Sequence, residues 1–151
     1  MTFTIATWNI NSVRLRADLV CKLLKNEKID VLCLQECKSP VDKFPLNVFS
    51  EIGFPHFVAR GQKGYNGVAI VSKFPLLEKC AIDFAGLGHA RHIAAQLEIG
   101  VTIHNFYVPA GGDEPDREKN EKFDQKLNYL SEMKKYFDKN QPKKSVLVGD
   151  L

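Results

Sequence analysis

The residues with the clearest chemical potential are a carboxylate and an amide, each set at the end of a short apolar run. Glu36 follows the run at 29–34 in IDVLCLQECK, and Asn9 follows the run at 4–8 in TIATWNINSVR. A carboxylate held where a buried strand opens to solvent is rigid, partly desolvated and able to grip a hard cation. In open α/β sheets, ligands collect just outside the carboxyl ends of strands. An amide oxygen beside such a carboxylate makes half of a magnesium site, because magnesium takes oxygen ligands and keeps several waters. The plainer alternative is a solvated strand end at which Glu36 pairs with Lys38. The stretch around Asn9 favours a site. Two further candidates stand at the ends of later runs. Tyr107 precedes the glycine-rich PAGGDEP, and Asp150 follows Gly149 in VLVGDL. Strand ends with glycine-rich loops are where sites assemble; for Tyr107 the plainer reading is a buried ring whose hydroxyl finds a partner.

These residues need strands to carry them. The runs at 4–8 and 29–34 are too short for helices, and the second reads as a strand buried on both faces. Between them Val13, Ala17, Val20 and Leu24 recur at helical spacing, with Asn11 or Ser12 available to cap the helix. Strand, helix and strand of this length predict a crossover with two parallel strands. Asn9 and Glu36 then meet at one rim of the sheet.

Further along, 45–52 reads as a short helix closed by Gly53, and 56–60 and 67–73 read as strands. GQKGYNG between those strands reads as a tight reversal. Lys63 and Tyr65 at its tip are placed either to touch a phosphate backbone or simply to be solvated. Residues 76–82 form a weaker strand, and 91–99 and 101–108 an antiparallel pair. Arg91, at the start of that pair, suits a phosphate or an internal carboxylate. His89 and His92 lie three apart outside any helix, which argues against a shared metal. The longest helix spans 116–139, with Phe123, Leu127, Leu130 and Tyr136 or Phe137 facing inward. Its lysines and glutamates make a solvated face, and 143–151 is a final short buried strand that delivers Asp150.

Composition sets broad limits. The chain has 151 residues, 44% hydrophobic and 26% charged, which suits one globular domain with a sizeable core. Its formal charge of +3 is compatible with nucleic acid but does not establish it. No apolar run approaches the roughly 18 residues needed to span a bilayer. The start MTFTIATW enters a strand directly, so an intracellular, cytoplasmic protein is expected. The cysteines Cys21, Cys33, Cys37 and Cys80 form no C-x-x-C pair and read as reduced residues.

TWNINSVR, DVLCLQECK, the QKGYNGVAI hairpin, Tyr107-Val108-Pro109 and VLVGDL together resemble the exonuclease III branch of the endonuclease/exonuclease/phosphatase superfamily. That branch comprises magnesium-dependent apurinic/apyrimidinic endonucleases, and the resemblance runs along the whole chain. It implies an α/β fold in which residues 1–151 are the amino-terminal half of a four-layer α/β sandwich, a mixed sheet with helices on its outer face. The chain then ends inside a G-D-x-N motif. Only the first sheet is clearly expected, and an uncovered inner face would promote self-association.

The resemblance also implies roles. Asn9, Glu36 and Asp150 fall on the metal site for Mg2+, with Mn2+ as a possible substitute. Asp150 orients the attacking water and Tyr107 reaches the scissile phosphate. Lys38, Lys63, Tyr65 and Arg91 are the implied DNA contacts. The partner is double-stranded DNA carrying abasic sites or 3′ ends, the reaction phosphodiester hydrolysis, and the location nucleoid-associated if the source is bacterial. The sequence departs from the family pattern at Ala110, where Asn is usual, and at Asn11, which is a carboxylate in some relatives. The 151 residues alone are expected to have little nuclease activity. The alternatives are a phosphatase or phospholipase-type hydrolase of the same superfamily, or a non-catalytic fragment.

Overall fold

The computed structural model describes residues 2–151. Strand β1 (Ile5–Asn9), helix α1 (Ala17–Asn26) and strand β2 (Val31–Gln35) form the expected crossover, with Ile5 opposite Val31 and Asn9 opposite Gln35 in parallel register. After a short helix α2 (Leu46–Glu51), β3 (His56–Arg60) and β4 (Val68–Ser72) pair antiparallel and complete a sheet of order β1-β2-β4-β3. Residues 61–67 return the chain between β3 and β4 through positive φ at Asn66 and Gly67, as the Asn-Gly pair predicts.

The remaining strands correct the expectation of a single clear sheet. β5 (Leu76–Cys80), β6 (His92–Leu97), β7 (Thr102–Tyr107) and β8 (Ser145–Asp150) make a second four-stranded sheet. Helix α3 (Glu121–Asn140) returns the chain so that β8 lies parallel to β7. The two sheets pack face to face. Val31, Cys33, Val58 and Ile70 of the first meet Ile93, Ala95, Leu97 and Ile103 of the second in one buried cluster. The inner face of β2 and β4 is therefore covered, which weakens the stated reason for self-association, while Thr7 of β1 and Val146 of β8 stay exposed. Leu32, Leu34, Ala69 and Val71 point the other way, onto Val20, Leu24 and Phe49 beneath the helices. Continuous apolar runs are required because β2 and β4 are buried on both faces.

Three elements differ from the sequence reading. Helix α1 begins at Ala17, with Arg16 as its uncapped start. Asn11 and Ser12 have positive φ, and the N–H groups of Ser12 and Val13 donate to the Glu36 and Cys37 carbonyls. Those residues brace the loop after β2 and cannot cap a helix. Helix α3 starts at Glu121, where the Asn120 side chain accepts from the Lys122 N–H. Its buried residue is Tyr129, with Met133, Tyr136 and Phe137 beside it, whereas Leu130 is 39% exposed. Finally, β8 is an edge strand, not a buried one, and Val146 and Leu147 are 36% and 42% exposed. Among the described residues, no helix is long and apolar enough to cross a membrane.

Helix α3 covers the outer face of the second sheet through an aromatic layer. Phe84, Phe106, Tyr129 and Phe137 surround a buried histidine pair, in which His92 Nε2 and His104 Nδ1 lie 3.1 Å apart. This accounts for His92 and separates it from His89. Burial, then the His104 and Arg60 charges, push His92 down to about 3, and burial pushes His104 down to about 4. Both are neutral in the fold, while the unfolded chain binds protons near 6.5. Their contribution is complete above pH 6.5 and is lost as the pH falls through that window. His104→Phe is expected to narrow the gap between urea midpoints at pH 7 and pH 5; an unchanged gap removes the pair as the cause.

Gly149 also tests the packing of β8. Its φ is 148°, and an added Cβ would lie 2.0 Å from the Phe106 carbonyl oxygen across the strand pair. Gly149→Ala is expected to destabilise the protein by roughly 2–4 kcal/mol, read from urea unfolding at neutral pH.

Candidate active site at the mouth between the sheets

Strand alternation decides which side chains reach the site. On β1, Ala6 and Trp8 pack beneath the helices and Ile5 packs between the sheets, so Asn9 at the strand end shares the inner face with Ile5. On β7, Ile103 and Tyr107 face inward, and on β8 so does Val148, which places Asp150 on the same side. Three strand tips thus open onto one mouth. Glu36 reaches it differently. A continued strand would send Glu36 to the helix side, because Gln35 faces inward. A positive φ of 50° at Glu36 breaks the alternation and turns the carboxylate over the opening. A left-handed conformation at a non-glycine residue costs on the order of 1–3 kcal/mol, and such strain clusters at functional positions.

The hydrogen bonds join these residues directly. Asn9 Nδ2 donates to Glu36 Oε1 at 3.0 Å and to Asp150 Oδ2 at 2.7 Å. The Tyr107 hydroxyl donates to Glu36 Oε1 at 2.7 Å, and Lys38 Nζ lies 2.9 Å from Glu36 Oε2. Lys38 Nζ also donates to Asn11 Oδ1 at 2.6 Å. The amide oxygen of Asn9 accepts from the Asn11 N–H at 3.2 Å. It is therefore the nitrogen of Asn9, not the oxygen assigned to the cation from the sequence, that lies between the two carboxylates.

These contacts fix the ionisation of the site. Burial raises the Glu36 carboxyl, but hydrogen bonds from Asn9, Tyr107 and Lys38, with the Lys38 charge, outweigh it and bring the group down to about 2. Burial, then the hydrogen bond to Glu36 and its charge, push Tyr107 up to about 12. At neutral pH the site presents a carboxylate and an intact phenol. Among the described contacts Arg91 meets no carboxylate, the internal partner raised from the sequence. Its guanidinium lies 4.5 Å from the Tyr107 ring centroid and donates to the Tyr107 carbonyl at 3.2 Å.

Lys63 and Tyr65 lie on the β3–β4 loop, which the Lys38 N–H joins at the Asn66 carbonyl, and Tyr65 is 55% exposed and edge-on to His89. Among the described residues there is no group of three or more His, Cys, Asp and Glu side chains placed to share a metal. The donors gathered here are two carboxylates spaced by an amide. Cys33 and Cys37 are buried away from them, their thiols pushed up by burial. Sequence reasoning missed Asn105. It lies two residues before Tyr107 in a strand whose pattern otherwise reads as apolar and aromatic, and no local signal marks it.

The profile of the Endonuclease/Exonuclease/phosphatase family matches residues 6–151. The chain belongs to this family. It is 28% identical to Exodeoxyribonuclease III of Haemophilus influenzae over 96% of its own length and 55% of that protein's. Among solved structures, an AP endonuclease from Archaeoglobus fulgidus superposes with a TM-score of 0.87 at 36% identity, over 99% of this chain and 57% of that one. The 3′ phosphatase NExo from Neisseria, bound to a product DNA hairpin, gives a TM-score of 0.84 at 33% identity, over 98% and 57%. The chain thus spans little more than half the length of these relatives.

The depressed Glu36 value has a measurable consequence. A carboxyl with a folded pKa below its ordinary 4.5 adds stability above that pH and loses it as the pH falls toward about 2. Glu36→Gln is expected to be less stable than the parent at pH 7, with the deficit shrinking between pH 4.5 and 3 in urea unfolding. A constant deficit across that window would rule out the three donors as its source.

Proposed function

We propose that this chain provides the metal-binding wall of a magnesium-dependent DNA-repair phosphodiesterase acting on double-stranded DNA at abasic sites and 3′ ends. The observation that carries the reading is the joining of Asn9, Glu36, Tyr107 and Asp150 by hydrogen bonds of 2.7–3.0 Å at one mouth. The donor chemistry fits the cation. Two carboxyl groups offer hard oxygen ligands, and magnesium needs only one or two of these with its waters. Glu36 and Asp150 would hold it, with Asn9 keeping them apart. When bound, the ion polarises a phosphoryl oxygen and stabilises the leaving oxygen.

The chain's own residues account for the rest of the proposed chemistry. Asp150 aligns a water for in-line attack on phosphorus. The new P–O bond forms as the P–O3′ bond breaks, the attacking water gives up a proton to solvent, and the departing O3′ takes one from solvent. Tyr107, held as a phenol, turns its one hydroxyl hydrogen from Glu36 to a phosphate oxygen when substrate binds and does not act as a nucleophile. Lys38, 2.9 Å from Glu36 Oε2, is placed to meet a phosphate at the same mouth. Arg91 adds positive charge behind Tyr107, while Lys63 and Tyr65 on the neighbouring loop meet the DNA backbone. Names of relatives support DNA as substrate: an exodeoxyribonuclease, an AP endonuclease and a phosphatase bound to a DNA hairpin.

The last of these also supports a second reading, a 3′-phosphatase on DNA, which uses the same site on a terminal phosphate. The test is to express the whole open reading frame and supply Mg2+ with an abasic duplex, a 3′-hydroxyl duplex and a 3′-phosphate duplex. Incision and 3′ nucleotide release are expected, abolished by EDTA and lowered by about 100-fold or more in Glu36→Gln. Release of inorganic phosphate alone supports the phosphatase. No reaction on any DNA, with turnover of an inositol phosphate or phospholipid, overturns the DNA reading.

A further inference from the structure

We infer that Asn105 is a positioning residue: its buried amide locks β7 to β2 in register and so sets Tyr107 against Glu36. Asn105 is fully enclosed between the sheets, where an amide without partners is strongly disfavoured. Its nitrogen donates to the Leu34 carbonyl at 2.9 Å and to the Ala69 carbonyl at 2.9 Å. Its oxygen accepts from Gln35 Nε2 at 2.6 Å, and the same Gln35 nitrogen reaches Thr7 Oγ1 at 3.0 Å. One planar group from the second sheet therefore holds two strands of the first, β2 and β4, and reaches β1 through Gln35. Leu34 and Ala69 are the last partners in the β2–β4 ladder, on the side that leads to Glu36.

The neighbouring contacts show what this grip controls. Tyr107 lies two residues beyond Asn105 on the same face of β7, and Glu36 lies one residue beyond Gln35. Asn105–Gln35 and Tyr107–Glu36 are consecutive rungs between the same two chain segments, the first buried and the second at the mouth. Elsewhere the sheets meet through Val31, Cys33, Ile70, Ile93 and Ile103, whose attraction is non-directional and tolerates small shifts. Within that buried contact the amide supplies a directional constraint. A displacement of about 1 Å in a positioned group costs on the order of 100-fold in rate, so a rung next to the phenol matters to it.

The test uses Asn105→Leu, near in size but unable to hydrogen-bond, and Asn105→Ser, which leaves a smaller polar group. In protein labelled with 13C at the tyrosine ζ carbon, the Tyr107 resonance is identified by its absence in Tyr107→Phe. Both variants are expected to move it in the same direction as Glu36→Gln does, with the Tyr136 resonance unmoved. A Tyr107 signal that stays in place in variants that melt cooperatively overturns the inference. So does loss of cooperative melting in both, which makes Asn105 a folding residue.

The kinetic arm rests on the proposed nuclease activity of the whole open reading frame. There Asn105→Leu is expected to lower kcat by about 10–100-fold while KM stays within about threefold. In a Tyr107→Phe background the same change should alter kcat by less than about twofold, because the group it positions is gone. Full additivity in that cycle overturns the inference. Absence of cleavage by the parent protein would instead count against the proposed function, and the labelled tyrosine would still decide the role of Asn105.

Discussion

Two sheets pressed face to face over a buried apolar cluster leave few choices for a polar side chain. It must be paired inside the contact, as an unpaired buried amide is costly, or it must stand at the rim where solvent and ligands reach it. Asn105 and Gln35 follow the first course, and Asn9, Tyr107 and Asp150 the second. The polar content of β1, β2, β7 and β8 is sorted by depth along the strands. The site is the place where that sorting reaches the surface.

Glu36 obtains its ionisation from this arrangement. Three donors from three elements meet one carboxylate: Asn9 from β1, Tyr107 from β7 and Lys38 from its own loop. Each is also held elsewhere. Asn9 is tied to Asp150 and Asn11, and Lys38 to Asn11. A group so surrounded keeps its charge without help from solvent. The left-handed turn at Glu36 is tolerated because the Ser12 and Val13 N–H groups take up the carbonyls of Glu36 and Cys37.

Much of this was legible in the sequence because the relevant signals are local. Apolar runs bounded by Asn9 and Gln35 mark β1 and β2, the spacing of Val20 and Leu24 marks α1, and Asn66-Gly67 marks the return into β4. The tips followed from the runs, so Asn9, Glu36, Tyr107 and Asp150 were identifiable before any coordinates. What escaped depended on partners distant in the chain. Asn105 is intelligible only against Leu34 and Ala69, 71 and 36 residues away. The second sheet was underestimated because β5 and β8 are edge strands with exposed, mixed sequences. Tyr129 was passed over for Leu130 because helical spacing alone does not distinguish adjacent positions along the border of a buried stripe. The start of α1 was misplaced because Asn11 and Ser12 look like caps, and their backbone is engaged by the loop after β2.

The buried histidines carry a final implication. The Ile82 N–H donates to His92 Nδ1 at 3.1 Å, so in the neutral ring the hydrogen of His92 sits on Nε2. Across the 3.1 Å gap, His104 Nδ1 must then accept, leaving its own hydrogen on Nε2. A single main-chain amide at the end of β5 thereby dictates the tautomers of two imidazoles in succession, giving the pair a fixed polarity that runs from the loop toward α3.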